Sequence, residues 1–129
     1  MSNGKITDTA AKAELRARAE ALVAENSAPL PDQGDDDARL VEAERRHRVS
    51  RECRQALCHE FASVLEDEDE VIWATEKVLW DVIEQTDPRT LAGIAAKLRT
   101  HLWHEDLEDD PSLRQVMACI ERLVDAGQR

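Results

Sequence analysis

The spacing of apolar residues along the chain predicts α-helices and no strands. Leucine, isoleucine and valine recur three or four residues apart, as they do on the buried face of a helix. The pattern is clearest near the end of the chain, where Asp110 and Pro111 supply an N-cap and a proline at the first helical position. These patterns predict helices over residues 9–25, 36–66, 69–85 and 91–103, and from Pro111 to a stop at Gly127.

The first predicted helix is separated from the others by a linker. Pro29, Pro31 and Gly34 exclude a continuous helix through this stretch. The first helix has a narrow, alanine-rich apolar stripe, so we expect it to be attached weakly. The remaining helices are joined by short connections, which favour antiparallel neighbours. The sequence thus predicts an all-α fold: an antiparallel helical hairpin or bundle of about four helices over 35–129, plus a loosely attached N-terminal helix with its Pro-rich linker over 1–34.

The second and third helices differ in how clear their inward faces are. In the second helix only the last half is amphipathic; residues 44–48 are polar nearly all round, so we expect this stretch to be solvated or to meet a partner. Thr90 is the predicted N-cap of the fourth helix. The predicted inward positions of the third helix are Val71, Ile72, Val78, Leu79, Val82 and Ile83.

Composition supports the helical interpretation and limits the partners. Of the 129 residues, 42% are hydrophobic, which is enough for one buried core, and Tyr is absent with a single Phe. The net charge of −11 would repel nucleic acid and anionic membranes, so we expect neither as a partner. No apolar run approaches the ~20 residues of a membrane span. Residues 1–8 lack a signal-peptide layout, and Cys53, Cys58 and Cys119 suit free, at least partly buried thiols, so we expect a cytoplasmic location.

The segment from Thr90 to Arg99, which reads TLAGIAAKLR, resembles a run found in a known group of proteins. With Trp80 and the preceding Asp87-Pro88-Arg89, it is similar to small uncharacterised helical proteins of rhizobial and other alphaproteobacterial genomes that carry a Thr-Leu-Ala-Gly helix motif. The resemblance covers roughly residues 37–105. It implies a helical hairpin plus one or two further helices, and it implies no catalytic residue.

The best metal-like cluster in the sequence is His101, His104, Glu105 and Asp106. Histidines three residues apart share one helix face, as metal ligands require. No further ligand at a fixed spacing completes a known site. The alternative is a polar helix end whose histidines stabilise the C-terminal dipole.

Three other patterns carry weaker chemical hypotheses. Glu44-x-x-His47 matches half of a di-iron motif, but no second pair exists in the chain. Cys58 precedes His59, which leaves a Cys/His nucleophile open, although buried structural cysteine is the commoner state. The arginines at 45, 46, 48, 51 and 54 form the one basic patch, which either binds DNA or, as we expect, pairs with carboxylates inside the chain.

Acidic residues concentrate at two turns, Glu66–Glu70 and Glu105–Asp110. In an up-down bundle these turns lie at the same end, which would form an acidic pole able to bind a divalent cation weakly or a basic protein surface. Because no catalytic constellation is found, the sequence predicts a non-enzymatic protein, without a cofactor, that acts through a protein partner or self-association as a homodimer. The alternatives are a divalent-cation-binding or regulatory protein that uses the acidic pole, and a nucleic-acid-mimicking protein of a mobile element.

Overall fold

The structure is a computed structural model, and it describes the backbone of residues 3–61 and 67–128 and the side chains from residue 9 onward. These residues form five α-helices and no strand, which confirms the all-α prediction. No helix among them is long and apolar enough to cross a membrane. The helices are α1 (Asn3–Ser27), α2 (Ala38–Glu60), α3 (Asp67–Gln85), α4 (Leu91–His104) and α5 (Pro111–Asp125).

The predicted signals at the ends of α4 and α5 are confirmed. The Thr90 side chain accepts a hydrogen bond from the Gly93 amide at 3.0 Å, and the Asp110 side chain accepts one from the Leu113 amide at 3.0 Å. Gly127 adopts a positive φ of 81°, and its amide and that of Gln128 donate back to the last turn of α5. The predicted continuation of α2 beyond Phe61, and the turn at Glu66, lie in or beside the stretch 62–66, outside the described residues.

The chain divides into two compact units. The first unit combines the chain up to Ala28 with Arg46–Leu79, and the second combines Pro29–Arg45 with the chain from Trp80 onward. Both α2 and α3 therefore contribute one part to each unit. The linker at 29–34 falls in the second unit, and the predicted division into residues 1–34 and 35–129 stays a prediction.

The core of the first unit joins α1, the second half of α2 and the start of α3. Its buried apolar residues are Leu15, Ala19, Leu22, Leu57, Phe61 and Ile72. Leu15 is fully buried, so α1 is part of this core, which differs from the loose attachment expected from its narrow stripe. The small side chains of the alanines let α1 pack closely against its neighbours, so a narrow apolar stripe is sufficient to bury it.

The core of the second unit is centred on α4 and α5. Ala95, Leu102 and Met117 form a buried cluster, and Leu98, Leu113 and Ile120 pack against it half-buried. The start of α2 adds Leu40 and Ala43, which are both fully buried. Because α5 folds back along α4 after a connection of only six residues, this pair forms a helical hairpin.

The buried face of α3 differs from the prediction at three positions. Ile72, Leu79 and Ile83 are buried as expected, but Val71 and Val78 are 52% and 63% exposed. Their place on the buried stripe is taken by Glu76, which lies four residues after Ile72 and three before Leu79. A stripe defined by apolar residues alone could not include a buried glutamate.

Candidate functional site

A buried carboxylate, Glu76, lies at the centre of a polar network in the first unit. Its side chain is 3% exposed and receives two hydrogen bonds from the Arg54 guanidinium, at 2.9 and 3.0 Å. The Ser50 hydroxyl donates a third, at 2.8 Å. The pKa of Arg54 is raised, chiefly by its hydrogen bonds to Glu76. The bidentate pairing with Arg54 and the hydrogen bond from Ser50 satisfy the buried carboxylate oxygens of Glu76.

The network extends from Ser50 to α1. Asn26, which is 6% exposed, donates its side-chain amide to the Ser50 hydroxyl at 2.9 Å and to the Thr75 hydroxyl at 3.1 Å. Thr75 in turn donates to the carbonyl of Ile72 at 2.6 Å. Three helices are thus connected by hydrogen bonds between their side chains. The sequence analysis missed this network; its signal was a polar residue in each apolar stripe, at Asn26, Ser50 and Glu76.

His47 is the second buried titratable group of the first unit. It is 3% exposed, and Arg51 lies with its Nη1 3.3 Å from the Nδ1 of His47. Burial, assisted by the charges of Arg51 and Arg54, lowers the pKa of His47 to about 4. The imidazole is therefore neutral at physiological pH and accepts from Arg51.

This depressed pKa predicts a specific loss of stability in mild acid. In the unfolded chain His47 takes up a proton near pH 6.5, whereas in the folded chain it does so only near pH 4. Stability is therefore fully present above pH 6.5 and declines as the pH falls to 4, by about 3 kcal/mol. Urea denaturation at a series of pH values should show that His47→Gln removes this part of the decline. His59→Gln, on the exposed side of the same helix, is the control and should leave the decline unchanged; equal profiles for wild type and His47→Gln would contradict the assignment.

The polar start of α2 is largely buried within the chain, whereas the sequence analysis expected it to be solvated or to meet a partner. Glu44 and Arg46 are 2% and 8% exposed. In the second unit Glu44 accepts from Arg99 of α4 at 3.0 and 3.2 Å, and in the first unit Arg46 donates to the Ala28 carbonyl at 2.6 Å. Glu44 and His47 of the half di-iron motif thus have separate structural partners, Arg99 and Arg51.

Other arginines of the basic patch also bind within the chain. The Arg45 guanidinium donates two hydrogen bonds to the Glu42 carboxylate, at 2.7 and 2.9 Å. Arg54, which pairs with Glu76, also has its Nη1 3.5 Å from Oδ1 of Asp69. These arginines therefore form ion pairs within the chain, as the sequence analysis expected. That the protein binds no nucleic acid stays a prediction.

Asp37 is the most densely hydrogen-bonded carboxylate of the second unit. Fully buried and with a positive φ of 59°, it accepts at one oxygen from the amides of Arg89 and Thr90, both at 2.8 Å, and from the Thr90 hydroxyl at 2.7 Å. Its other oxygen accepts from the Gln33 amide at 2.9 Å. Burial by itself raises the pKa of Asp37, but the hydrogen bonds from Thr90, Arg89 and Gln33 outweigh burial and hold the pKa below its ordinary value.

Asp37 thereby places a negative charge at the N-terminus of α4, where the helix dipole stabilises it. It also accounts for part of the Thr-Leu-Ala-Gly segment. The Thr90 hydroxyl donates to Asp37 and accepts from the Gly93 amide, and Gly93 leaves room for the carboxylate. The sequence analysis did not identify this role of Asp37.

The four residues proposed as a metal cluster have other contacts in the structure. The rings of His101 and His104 lie 5.9 and 4.6 Å from the ring of Trp80, and His101 Nε2 is 3.6 Å from a carboxylate oxygen of Glu84. Asp106 has a positive φ of 57°, and its amide and that of Leu107 donate to the last turn of α4, so it ends that helix. The position of Asp106, with its positive φ after the end of a helix, is usually occupied by glycine.

Among residues 3–61 and 67–128, no group of three or more His, Cys, Asp or Glu side chains is arranged to hold a metal ion. Of the two acidic turns, Glu66 lies outside the described residues, and Asp67–Glu70 form the first turn of α3, where they suit the helix dipole. The other cluster, Glu105–Asp110, belongs to the second unit. The acidic pole, its cation-binding function and the mimicry of nucleic acid stay predictions.

All three cysteines are free, and their surroundings differ from each other. Cys53 is exposed, which corrects the expected burial, because it lies at the edge of the stripe formed by Ser50, Leu57 and Phe61. Burial and the nearby Asp69 carboxylate, 3.6 Å away, raise the pKa of the Cys58 thiol. A thiol that stays protonated is a poor nucleophile, so this environment does not activate Cys58.

Two apolar surfaces remain exposed on the described residues. In the second unit, Ile94 of α4 and Val116 and Leu123 of α5 are 42%, 49% and 46% exposed. We call these, together with the half-buried Leu98 and Ile120, the α4–α5 face. In the first unit a groove of about 470 Å³ lies between α1 and α3. We call it the α1–α3 groove; its lining residues are Arg16, Ala19, Glu20, Val23, Ala24, Asp67, Glu68 and Val71.

Comparison with known proteins gives no relative from which a function could be transferred. No protein-family model, no curated protein and no solved structure matches the chain significantly. The resemblance to the rhizobial group through the Thr90–Arg99 segment stays a prediction.

Proposed function

We propose that this chain is a non-enzymatic helical protein of the cytoplasm that acts through protein contacts, and that the α4–α5 face joins two copies as a homodimer. The observation that carries the proposal is the exposure of Ile94, Val116 and Leu123 on one side of the helical hairpin. Their exposed apolar area is clustered, and clustered apolar area marks interaction surfaces more often than scattered residues do.

Helix geometry supports the placing of these residues on a single face. Leu98 and Ile120 pack against the same buried cluster from α4 and α5. Ile94 lies one turn from Leu98, and Val116 and Leu123 lie one turn to either side of Ile120. At 100° per residue in two helices that run back along each other, all five positions fall on the same side of the hairpin. The opposite side carries Ala92 and Glu121, which line a cleft with Val41 of α2.

A second copy suits this face because a two-fold axis brings the same apolar residues of two chains together, and an apolar patch complements itself. Charges of both signs occur on these elements, Arg122 on α5 and Lys97 of α4 beside Glu84, so neither a strongly basic nor a strongly acidic partner is favoured. The non-enzymatic part of the proposal is supported by the buried titratable groups Asp37, Glu44, His47 and Glu76, each of which is held by partners within its own unit.

Sedimentation equilibrium tests the dimer. We expect the wild-type chain to dimerise at high concentration, and Leu123→Glu to weaken the association by about a hundredfold, because it buries an unpaired charge within the apolar face. Val78→Glu is the control, since Val78 is an exposed apolar residue in the other unit, 63% exposed against 46% for Leu123. A wild-type chain that stays monomeric at high concentration, or a dimer that Val78→Glu disrupts equally, would remove the proposal.

A further inference from the structure

The α1–α3 groove is an elongated channel between two helices of the first unit. It follows α1 from Arg16 to Ala24, about two helical turns or ~12 Å. Its volume of about 470 Å³ accommodates several apolar side chains. Two neighbouring helices with an open channel between them offer the surface that helix-in-groove recognition uses.

The floor of the groove is apolar and continuous with the core. Ala19 is 5% exposed and belongs to the buried cluster of the first unit, and Val23 packs against that cluster. Val71, on the opposite wall, is 52% exposed, so it lacks the cover that its apolar character favours. An apolar side chain inserted here would be surrounded by Ala19, Val23 and Val71, and its burial would stabilise the complex in proportion to the apolar area removed from water.

The rim of the groove determines the charge of the partner. Three carboxylates, those of Glu20, Asp67 and Glu68, face one cation, Arg16. Arg16 is four residues before Glu20 on α1, at the spacing of a helix ion pair, which leaves the two carboxylates of α3 in excess. A partner with positive charges beside its apolar stripe complements such a rim, whereas a partner with acidic flanks is repelled.

We propose that the α1–α3 groove binds a basic amphipathic helix of another protein, with the apolar stripe of that helix on Ala19, Val23 and Val71 and its lysines or arginines beside Glu20, Asp67 and Glu68. This interaction goes beyond the proposed dimer and does not depend on it, because the groove lies in the first unit and the α4–α5 face in the second. The monomeric Leu123→Glu chain is expected to bind the same helix.

Two synthetic peptides of about 16 residues test the proposal. Both carry leucine at every third or fourth position; one has lysine and alanine elsewhere, and the other has glutamate in place of lysine. Fluorescence anisotropy with the full chain should show that the lysine peptide binds at least about tenfold more tightly than the glutamate peptide at low salt, and less tightly as salt rises. Equal binding of both peptides, or binding of neither, overturns the proposal.

Matched variants separate the groove from the general acidity of the chain. Glu20→Lys and Glu52→Lys change the net charge equally, but only Glu20 lines the groove. Likewise Val71→Asp and Val78→Asp replace exposed valines seven residues apart on α3, and only Val71 lines it. We expect the groove variants to weaken lysine-peptide binding by about tenfold and the controls by less than about twofold. Similar losses in both sets overturn the proposal, as does a dimer that Val71→Asp dissociates, since the occupant would then be a second copy.

Discussion

Replacing Glu76 with alanine is expected to reduce the free energy of unfolding by about 3–5 kcal/mol, because it breaks a buried ion pair. Glu76 itself is nearly inaccessible, and its removal leaves Arg54, whose side chain is 21% exposed, without its bidentate partner. Ser50 loses its acceptor at the same time. Urea denaturation followed by far-ultraviolet circular dichroism measures the loss.

The loss of stability in Glu76→Ala should arise because Arg54 is left without its partner, and not because the Glu76 charge itself is removed. The double variant Glu76→Leu with Arg54→Met replaces both partners by apolar groups and is expected to cost much less than Glu76→Ala, because no buried charge is left unpaired. An exposed pair supplies the second control: Arg89 and Asp35 are 61% and 93% exposed, so Asp35→Ala should cost less than about 1 kcal/mol. A Glu76→Ala loss no larger than that of Asp35→Ala would show that the network contributes little.

Local signals in the sequence were sufficient for the helices. The N-caps Thr90 and Asp110 and the stop at Gly127 depend on hydrogen bonds within three to five residues, so neighbouring residues determine them. The all-α class follows from the same periodicity. What periodicity could not supply is the division into two units, because α2 and α3 each change partners along their length without a break in the helix.

The polar residues of the interior could not be predicted, for a physical reason. Glu76, Glu44 and His47 are buried in contact with Arg54, Arg99 and Arg51, and these pairs join residues from 4 to 55 positions apart. A pattern of apolar positions assigns every polar residue to the solvent-exposed side of its helix. It therefore placed Val71 and Val78 inside the fold in place of Glu76, and it left the start of α2 to be solvated or to meet a partner.

The proposed metal cluster shows another limit of the sequence pattern. The spacing of His101 and His104 places both on one face of α4, as predicted. That face meets Trp80, whose ring lies against both imidazoles, and spacing along one helix carries no information about the residue opposite. For the same reason the sequence could not find either apolar surface, since each is formed by two helices together.

Gly93→Ala is expected to destabilise the chain by about 3 kcal/mol or more, although alanine in a helix interior normally adds stability relative to glycine. A Cβ at this position would lie 2.6 Å from the Asp37 Cγ and closer still to its Oδ2. Neither group can shift without a cost in free energy. The Gly93 backbone is part of α4, and the Asp37 carboxylate accepts hydrogen bonds from the Arg89 and Thr90 amides. Displacing Asp37 would forfeit charge-assisted hydrogen bonds of about 1.5–3 kcal/mol each.

A double-mutant cycle identifies Asp37 as the cause. Asp37→Gly removes the carboxylate and suits the positive φ of 59° at this position, so it adds no backbone strain of its own. In the Asp37→Gly background the Cβ introduced by Gly93→Ala meets no carboxylate, and that substitution should become neutral or stabilising. The expected coupling between the two positions is therefore at least about 2 kcal/mol, measured from the urea denaturation of the four chains. If the two losses simply add, the glycine of the Thr-Leu-Ala-Gly segment is required for some reason other than its approach to Asp37.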